Sequence, residues 1–483
     1  MDITGLPLLL FLAAVIFLYY VLPRKARPWL LLVGSLLFLA TYTLRGLLFT
    51  GITALIIWAA GLRFSKLEGP GKRHLLQLAL LGNLLILLGI KYLLPGLYPR
   101  SAALSLWIPL GLSYYTLQAI SYLLDTYWGR IAPETSFWKV LLYICYFPQM
   151  LQGPISRYQD LSVELQNDRP FSIHNLKHGV QLMLWGYFKI FVIGNRLAGT
   201  IPGAFRNSLY GFAGLVGLML FGVELYCNFS GGIDVARGMS QCLGISLPEN
   251  FRQPYFSKSL GEFWRRWHIT LGTFMKDYVF FPFSMSKPIS RFKKALKKKL
   301  PRKTANRIPI AIANIVVFLI VGIWHGSGTN YALWGLYNGI ILAVSELLTD
   351  RFQAARAVLR IQKDSKAWAA FSMVRTFLIV TLGWATDCAV TAAGSLDIVR
   401  NLFYFSRTNL WALGISKLVW LMLLGSLALV ILVSVIHEKG HSVREILDRQ
   451  PVVVQCLVWA ILIQMIACLG KGGVNGGLMY ANF

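Results

Sequence analysis

The sequence is short of charge, and shortest of acid. Of its 483 residues only 14% are charged, where a soluble domain carries roughly a quarter. Asp and Glu number 20 against 47 Lys and Arg, a formal net charge of +27. With 56% hydrophobic residues, this excludes a soluble enzyme on a single anchor and points to an all-α polytopic membrane protein. No long polar linker divides the chain, so residues 1–483 read as one membrane domain rather than several soluble ones. The excess of base does not mark a nucleic-acid binder. Its Lys and Arg cluster in short loops between apolar runs, where the positive-inside rule puts them. There are six cysteines and no CxxC pair. They lie in or beside apolar runs, which predicts buried, inert thiols rather than disulfides or metal ligands. No GxSxG elbow, Walker loop, dinucleotide fingerprint or kinase set is present. No cysteine adjoins a histidine in the chain, so nothing suggests a thiol nucleophile.

What is abundant is apolar sequence. A helix that crosses a bilayer needs about 17 residues or more. Candidate runs fall near 5–22, 28–44, 46–60, 75–95, 104–124, 178–195, 208–226, 308–324, 330–349, 369–389, 415–436 and 452–469. The first has no basic stretch before it and no small-residue cleavage site after it, so it reads as a retained span. Segments 23–29, 61–74, 289–307, 351–366 and 437–450 carry most of the loop Lys and Arg. Segments 45, 97–103, 196–207 and 390–414 carry few. The first set is therefore expected in the cytoplasm, with both chain ends outside.

Three regions do not read as plain spans. Phe137–Pro154 is apolar but interrupted by Pro148, Gly153 and Pro154, and is expected to dip into the membrane rather than cross. Asn228–Pro254 is rich in Gly and Pro, with two short apolar pieces. Gly261–Pro282 is aromatic and basic. Irregular backbone at membrane depth survives only against protein or a water-filled cavity, so these regions predict a cavity. The basic run 290–307 reads as a cytoplasmic loop at the anionic leaflet, or as a dock for an acidic partner.

Ionisable groups within apolar sequence are costly and are functional candidates by default. His325 closes one apolar run and precedes another. Gly322, Gly326, Ser327 and Gly328 surround it with small residues that admit close approach, and Trp324, Tyr331, Trp334 and Tyr337 supply aromatic walls. His268 lies in SLGEFWRRWHITLGTFMKDYVFFP. On a continuous helix, Trp264, Trp267, His268, Leu271, Met275 and Tyr278 would share one face. Arg265, Arg266 and Lys276 would flank it. The plain alternative there is an interfacial amphipathic helix. His74, His174 and His178 lie near loop edges and read as solvated or capping. The run His437–His441, HEKGH, matches the zinc-protease pattern. Gly440 weakens the helix that pattern requires, so the match reads as chance.

Five stretches carry a resemblance to the membrane-bound O-acyltransferase (MBOAT) superfamily. They are PLGLSYYTLQAISYLLDTY at 109–127, YFPQMLQGPISRYQDL at 146–161, YCNFSGGIDVARGMSQCLGISLPENFRQPY at 226–255, FWRRWHITLGTFMKDYVFFP at 263–282 and GIWHGSGTNYALWGLYNG at 322–339. They occur in family order across the middle half of the chain. The WRRWH block and the WHG block, whose histidines are 57 residues apart, are the most specific. Within the superfamily the chain resembles the bacterial branch of the alginate O-acetylation membrane subunit and the teichoic-acid D-alanyl transferase.

The resemblance implies a ring of about 11–12 transmembrane helices, with re-entrant and interfacial helices, around a central funnel. It implies a catalytic core near 104–350 and an aromatic C-terminal tail at 472–483. The catalytic histidine maps onto His325 and the second functional histidine onto His268. Trp264, Arg265, Arg266, Trp267, Lys276, Tyr278, Trp324, Asn330, Gln149 and Asn228, all within the matching stretches, are candidates for binding substrate or donor. The implied reaction moves an acetyl or D-alanyl group from a cytoplasmic thioester to a hydroxyl of an extracellular polysaccharide or wall polymer. The donor is acetyl-CoA or the phosphopantetheine arm of an acyl carrier protein, and the acceptor is a glycan or a secreted or tethered partner. No metal and no bound cofactor is required. The expected location is the bacterial cell membrane, multi-pass. The alternative reading is a transporter or flippase for a polar lipid or glycan. It expects repeated halves, and no second copy of the WRRWH or WHG block exists in the sequence.

Overall fold

The structure is a computed structural model, and it describes residues 5–93, 109–167, 169–206, 209–405 and 409–472. The tail from residue 473 and the start of the 104–124 run lie outside the described residues. The principal helices, in chain order, are α1 Leu6–Val21, α2 Arg27–Ala40, α3 Leu44–Phe64, α4 Gly69–Leu88, α5 Leu112–Tyr127, α6 Phe137–Cys145, α7 Phe147–Gln152, α8 Ile173–Phe188 and α9 Gly211–Cys242. They continue with α10 Leu260–Arg266, α11 Ile269–Met275, α12 Lys287–Lys299, α13 Arg302–His325, α14 Thr329–Leu347, α15 Lys366–Gly383, α16 Lys417–Glu438, α17 Val443–Asp448 and α18 Val452–Leu469. Among the described residues the only strand-like feature is an isolated antiparallel bridge, Phe251 to Trp267. The protein is an all-α polytopic membrane protein.

Each apolar run contains a helix, but the lengths differ from expectation. Among the described residues seven helices are long and apolar enough to cross a bilayer, or eight if the bent pair Thr329–Leu347 and Thr349–Val358 is one span. The third run, which looks short in sequence, is a full helix of 21 residues, whereas α2 has 14. The outer helices keep large apolar side chains exposed, as with Leu457 and Ile461 on α18. That is the surface lipid requires and water would penalise.

The chain forms two compact units: residues 1–195, 226–249 and 442–483, and residues 196–225 and 250–441. The first unit packs around buried aromatics, among them Phe38, Tyr115, Tyr122, Tyr143, Tyr146 and Phe147. The buried Tyr143 Oη–H donates to the Ser156 carbonyl at 3.0 Å. The interruption expected in Phe137–Pro154 is present. α6 ends before Tyr146, and α7 runs only to Gln152.

Asn228–Pro254 departs from expectation. Residues 226–242 are not broken; they are the second half of the continuous 32-residue α9. Its glycines make contacts rather than breaks. A Cβ on Gly238 would meet the Gly179 carbonyl at 2.6 Å, and one on Gly186 would meet the Gly231 carbonyl at 2.6 Å. Glycine lets α8 and α9 touch backbone to backbone, as small residues do between membrane helices. A π-helical turn, Lys189–Gly194, follows α8. Its buried Lys189 pairs with Asp234 Oδ2 at 2.7 Å and donates to Ser230 Oγ at 2.8 Å.

In the second unit α13 and α14 form an antiparallel hairpin in backbone contact. Gly322 faces the Tyr331 carbonyl, Gly335 the Phe318 carbonyl and Gly339 the Ile315 backbone. The basic run is helical here. α12 exposes its lysines, and α13 begins inside the run at Arg302. Cys145, Cys227 and Cys242 are buried, as expected. The expectation fails for Cys456 and Cys468, which are exposed on α18, because that helix has few protein neighbours.

Candidate active site

The hairpin sets His325 at a helix end. α13 stops there because Gly326 and Gly328 take extended conformations, and α14 starts at Thr329. A side chain at Gly326 would collide with the Tyr331 ring, so glycine lets that ring close over the turn. His325 is half-buried. Its ring centroid lies 5.0 Å from Trp324, 5.4 Å from Trp334 at an edge-on 77°, and 6.5 Å from Tyr331. Three of the four expected aromatic walls are therefore near it. The fourth, Tyr337, instead donates its hydroxyl to the Ile379 carbonyl at 2.6 Å.

His268 is not on a continuous helix. α10 ends at Arg266, Trp267 is extended, and His268 has φ +48° before α11 begins at Ile269. The proposed single face from Trp264 to Tyr278 therefore does not exist. The break comes from outside the segment. The Ile269 N–H donates to the Asn250 carbonyl at 3.0 Å, and the Arg252 N–H to the Arg266 carbonyl at 2.9 Å. The Asn250 side chain then fixes the histidine. Its Oδ1 accepts from the Thr270 N–H at 3.0 Å and the Thr270 hydroxyl at 2.9 Å, and lies 3.2 Å from His268 Nδ1. A backbone N–H can only donate, which identifies the atom as the amide oxygen. Nδ1 therefore carries the hydrogen, and in the neutral ring Nε2 keeps the lone pair. His268 is 4% exposed. Burial, and after it the charge of His325, hold its pKa well below the ordinary histidine value.

Aromatic rings join the two segments. Trp264 meets Trp334 at 5.3 Å and Phe318 at 5.4 Å. Its Nε1–H donates to Asn338 Oδ1 at 3.2 Å, and the Asn338 amide donates to the Trp334 carbonyl at 3.0 Å. Trp267 is buried against Phe263, Trp384 and Phe251. Asn330 is buried. Its Nδ2 donates to the Thr386 and Ala389 carbonyls at 3.0 and 3.1 Å, which ties the start of α14 to the chain beyond α15.

The expected cations differ in availability. Arg266 is committed: it reaches Glu438 through two bonds of 2.6 and 3.0 Å and Glu262 at 2.8 Å. These partners raise its pKa, the Glu438 hydrogen bond most. Arg265 and Lys276 are exposed, with Lys276 Nζ 5.6 Å from the Phe281 ring. Tyr278 is buried against Phe274. Gln149 and Asn228 belong to the first unit. Gln149 is buried, and among the described residues neither its amide atoms nor those of its neighbour Gln152 have a hydrogen-bond partner. The HEKGH histidines do not share a helix face. α16 ends at Glu438 and Gly440 turns at φ +82°, so His441 lies beyond the helix.

Sequence reasoning passed over Asn250 and Asn338. Both lie inside quoted stretches, and both are 3% exposed or less. A buried amide in a membrane helix or beside one is the signal that would have found them.

The family model for MBOAT, the membrane-bound O-acyltransferase family, matches residues 132–296. A probable alginate O-acetylase of Pseudomonas aeruginosa is 30% identical over 436 residues, 85% of this chain and 78% of that protein. The corresponding protein of Pseudomonas syringae pv. tomato is 30% identical over 400 residues, 78% and 70% of the two chains. A teichoic acid D-alanyltransferase of Bacillus subtilis is 29% identical over 244 residues, 48% of this chain and 58% of that protein. The all-α membrane architecture and these matches together define a polytopic membrane acyltransferase. The chain belongs to the membrane-bound O-acyltransferase family, and it is a multi-pass bacterial membrane protein.

Proposed function

We propose that the protein transfers an acyl group from a cytoplasmic thioester to a hydroxyl of an extracellular polysaccharide or wall polymer, directly or through a secreted or tethered acceptor. His325 is the base. It takes the hydroxyl proton through its imidazole nitrogen while the oxygen attacks the thioester carbonyl. A C–O bond forms, the C–S bond breaks, and the thiolate leaves to be protonated as the free thiol. A positioned base contributes about 10²–10⁴-fold. The imidazolium formed in that step stands at the C-terminal end of α13, where the helix dipole favours positive charge. The observation that carries this reading is a half-buried histidine at the break of a membrane hairpin, in aromatic surroundings.

His268 is a positioning residue. Its Nδ1–H is taken by Asn250, so neutral His268 offers Nε2 as an acceptor. That suits holding an N–H of His325 and does not suit donating to a carbonyl oxygen. Arg265 and Lys276 are the exposed cations that suit donor phosphates. Arg266 holds α10 to α16. The long match to alginate O-acetylases, against the shorter match to D-alanyltransferases, favours an acetyl group and acetyl-CoA over a carrier-protein donor. The funnel that joins the two sides of the membrane is part of the proposal, drawn from the family resemblance. Purified protein in lipid vesicles, given labelled acetyl-CoA and a soluble glycan acceptor, tests it. Labelled glycan or free CoA is the expected result. Transport of label without thioester cleavage would replace the enzyme with the transporter reading.

A further inference from the structure

His174 and His178 are one helical turn apart at the start of α8, with ring centroids 4.0 Å apart. Asp448, the last residue of α17, meets them from far along the chain. Its Oδ2 lies 2.6 Å from His178 Nε2 and 3.9 Å from His174 Nδ1. All three residues offer ligand atoms within 4.8 Å of one another. His178, expected to be solvated, is 6% exposed, while the His174 side chain is 62% exposed. The neighbours of this cluster are also fixed. Lys177 Nζ holds Asp448 Oδ1 at 2.5 Å. Arg444 donates to the His178 carbonyl at 3.1 Å and to Gln241 Oε1 at 2.9 Å. Gln455 donates to the Asp448 carbonyl at 3.4 Å.

We propose that His174, His178 and Asp448 form a binding site for a divalent transition metal of the zinc class, which clips the start of α8 to the corner between α17 and α18. Two imidazoles and one carboxylate suit zinc, cobalt or nickel and do not suit calcium or magnesium, which take oxygen ligands. A tetrahedral ion with bonds of about 2.0–2.1 Å sets its ligands about 3.3 Å apart. The 2.6 Å contact opens and the 3.9 Å contact closes, each by well under 1 Å. Asp448 then gives Oδ2 to the ion while Lys177 keeps Oδ1, the outer-shell bond that orients a metal-binding carboxylate. The ammonium also repels the ion, which works against that orienting effect. The fourth position falls to water on the exposed His174 side. None of the candidate active-site residues takes part.

The test uses the full-length protein, purified in detergent, stripped with chelator and titrated with Co²⁺ while its visible absorption is recorded. One Co²⁺ per chain is expected, displaced by Zn²⁺. His174→Ala is exposed enough to fold normally and should weaken binding by at least about 100-fold, beyond the roughly 10–100-fold that loss of an outer-shell partner costs. Asp448→Asn should weaken it as well. His437→Ala should leave it unchanged. Metal should raise the melting temperature of the wild type and not of His174→Ala. Wild-type protein that binds no Co²⁺, or binding that survives both His174→Ala and Asp448→Asn, overturns the proposal.

Discussion

Gly335→Ala should disable the enzyme from the far side of the hairpin. Gly335 sits in the second turn of α14, four residues after Tyr331, and its ideal Cβ would lie 2.5 Å from the Phe318 carbonyl and 3.0 Å from the Leu319 Cα. Ordinary contact begins near 3.4 Å. Backbone on one side cannot swing away like a side chain, so α13 and α14 must part by about 0.9 Å, or tilt. Overpacking of this kind costs about 1–3 kcal/mol. The greater effect is on geometry. Trp334 adjoins the substitution and its ring faces His325 at 5.4 Å, so the proposed base and its wall move apart. A misplacement of about 1 Å lowers a rate by about 100-fold. The assay compares initial rates of acyl transfer and melting temperatures for wild type, Gly335→Ala and Gly425→Ala in the same vesicles. Gly425 lies on α16, and a Cβ there meets nothing within 4 Å. Its substitution should keep full activity and hold or raise stability, since alanine is better than glycine in a helix by about 1 kcal/mol. A Gly335→Ala protein with wild-type rate and melting temperature would refute backbone contact as what positions His325.

Asn250→Ala removes one acceptor that serves three donors. A buried unsatisfied group costs about 1–3 kcal/mol, so a clear loss of melting temperature with a fall in activity is expected, and Asn250→Asp should recover part of both. His268 makes stability fall with acid. Its native pKa is well below 6.5 because of burial and His325, so the unfolded chain binds the proton first as pH drops below about 6.5, the unfolded value. The stability gap between wild type and His268→Gln should therefore narrow from pH 7 to pH 5, as read by melting curves. Arg265→Ala should raise KM for the donor and leave the melting temperature unchanged. Arg266→Ala should lower the melting temperature, because it strands Glu438 and Glu262.

Some of this was legible in the sequence because the signal is local. The break at Tyr146, two residues before Pro148, follows from the proline's missing donor, and His325 at the end of an apolar run follows from the run itself. The short third run became a full helix because Leu44 and Arg45 extend it at one end and Gly61 to Phe64 at the other. Other features depend on partners that a local pattern does not contain. The glycines of 226–242 resemble helix breakers until Gly179 and Gly186 of α8 are set against them. No glycine or proline marks the break at His268. It is made by Asn250, 18 residues earlier. The His174, His178 and Asp448 cluster joins residues 270 positions apart, which spacing cannot reveal.

The base assigned to this enzyme is a single side chain, and replacing it is the most direct test. His325→Ala and His325→Gln, purified and reconstituted with labelled acyl donor and glycan acceptor, should keep the melting temperature of the wild type within a few degrees. Both should lose transfer by about 10²–10⁴-fold. Product formed by either variant at the wild-type rate would contradict the account.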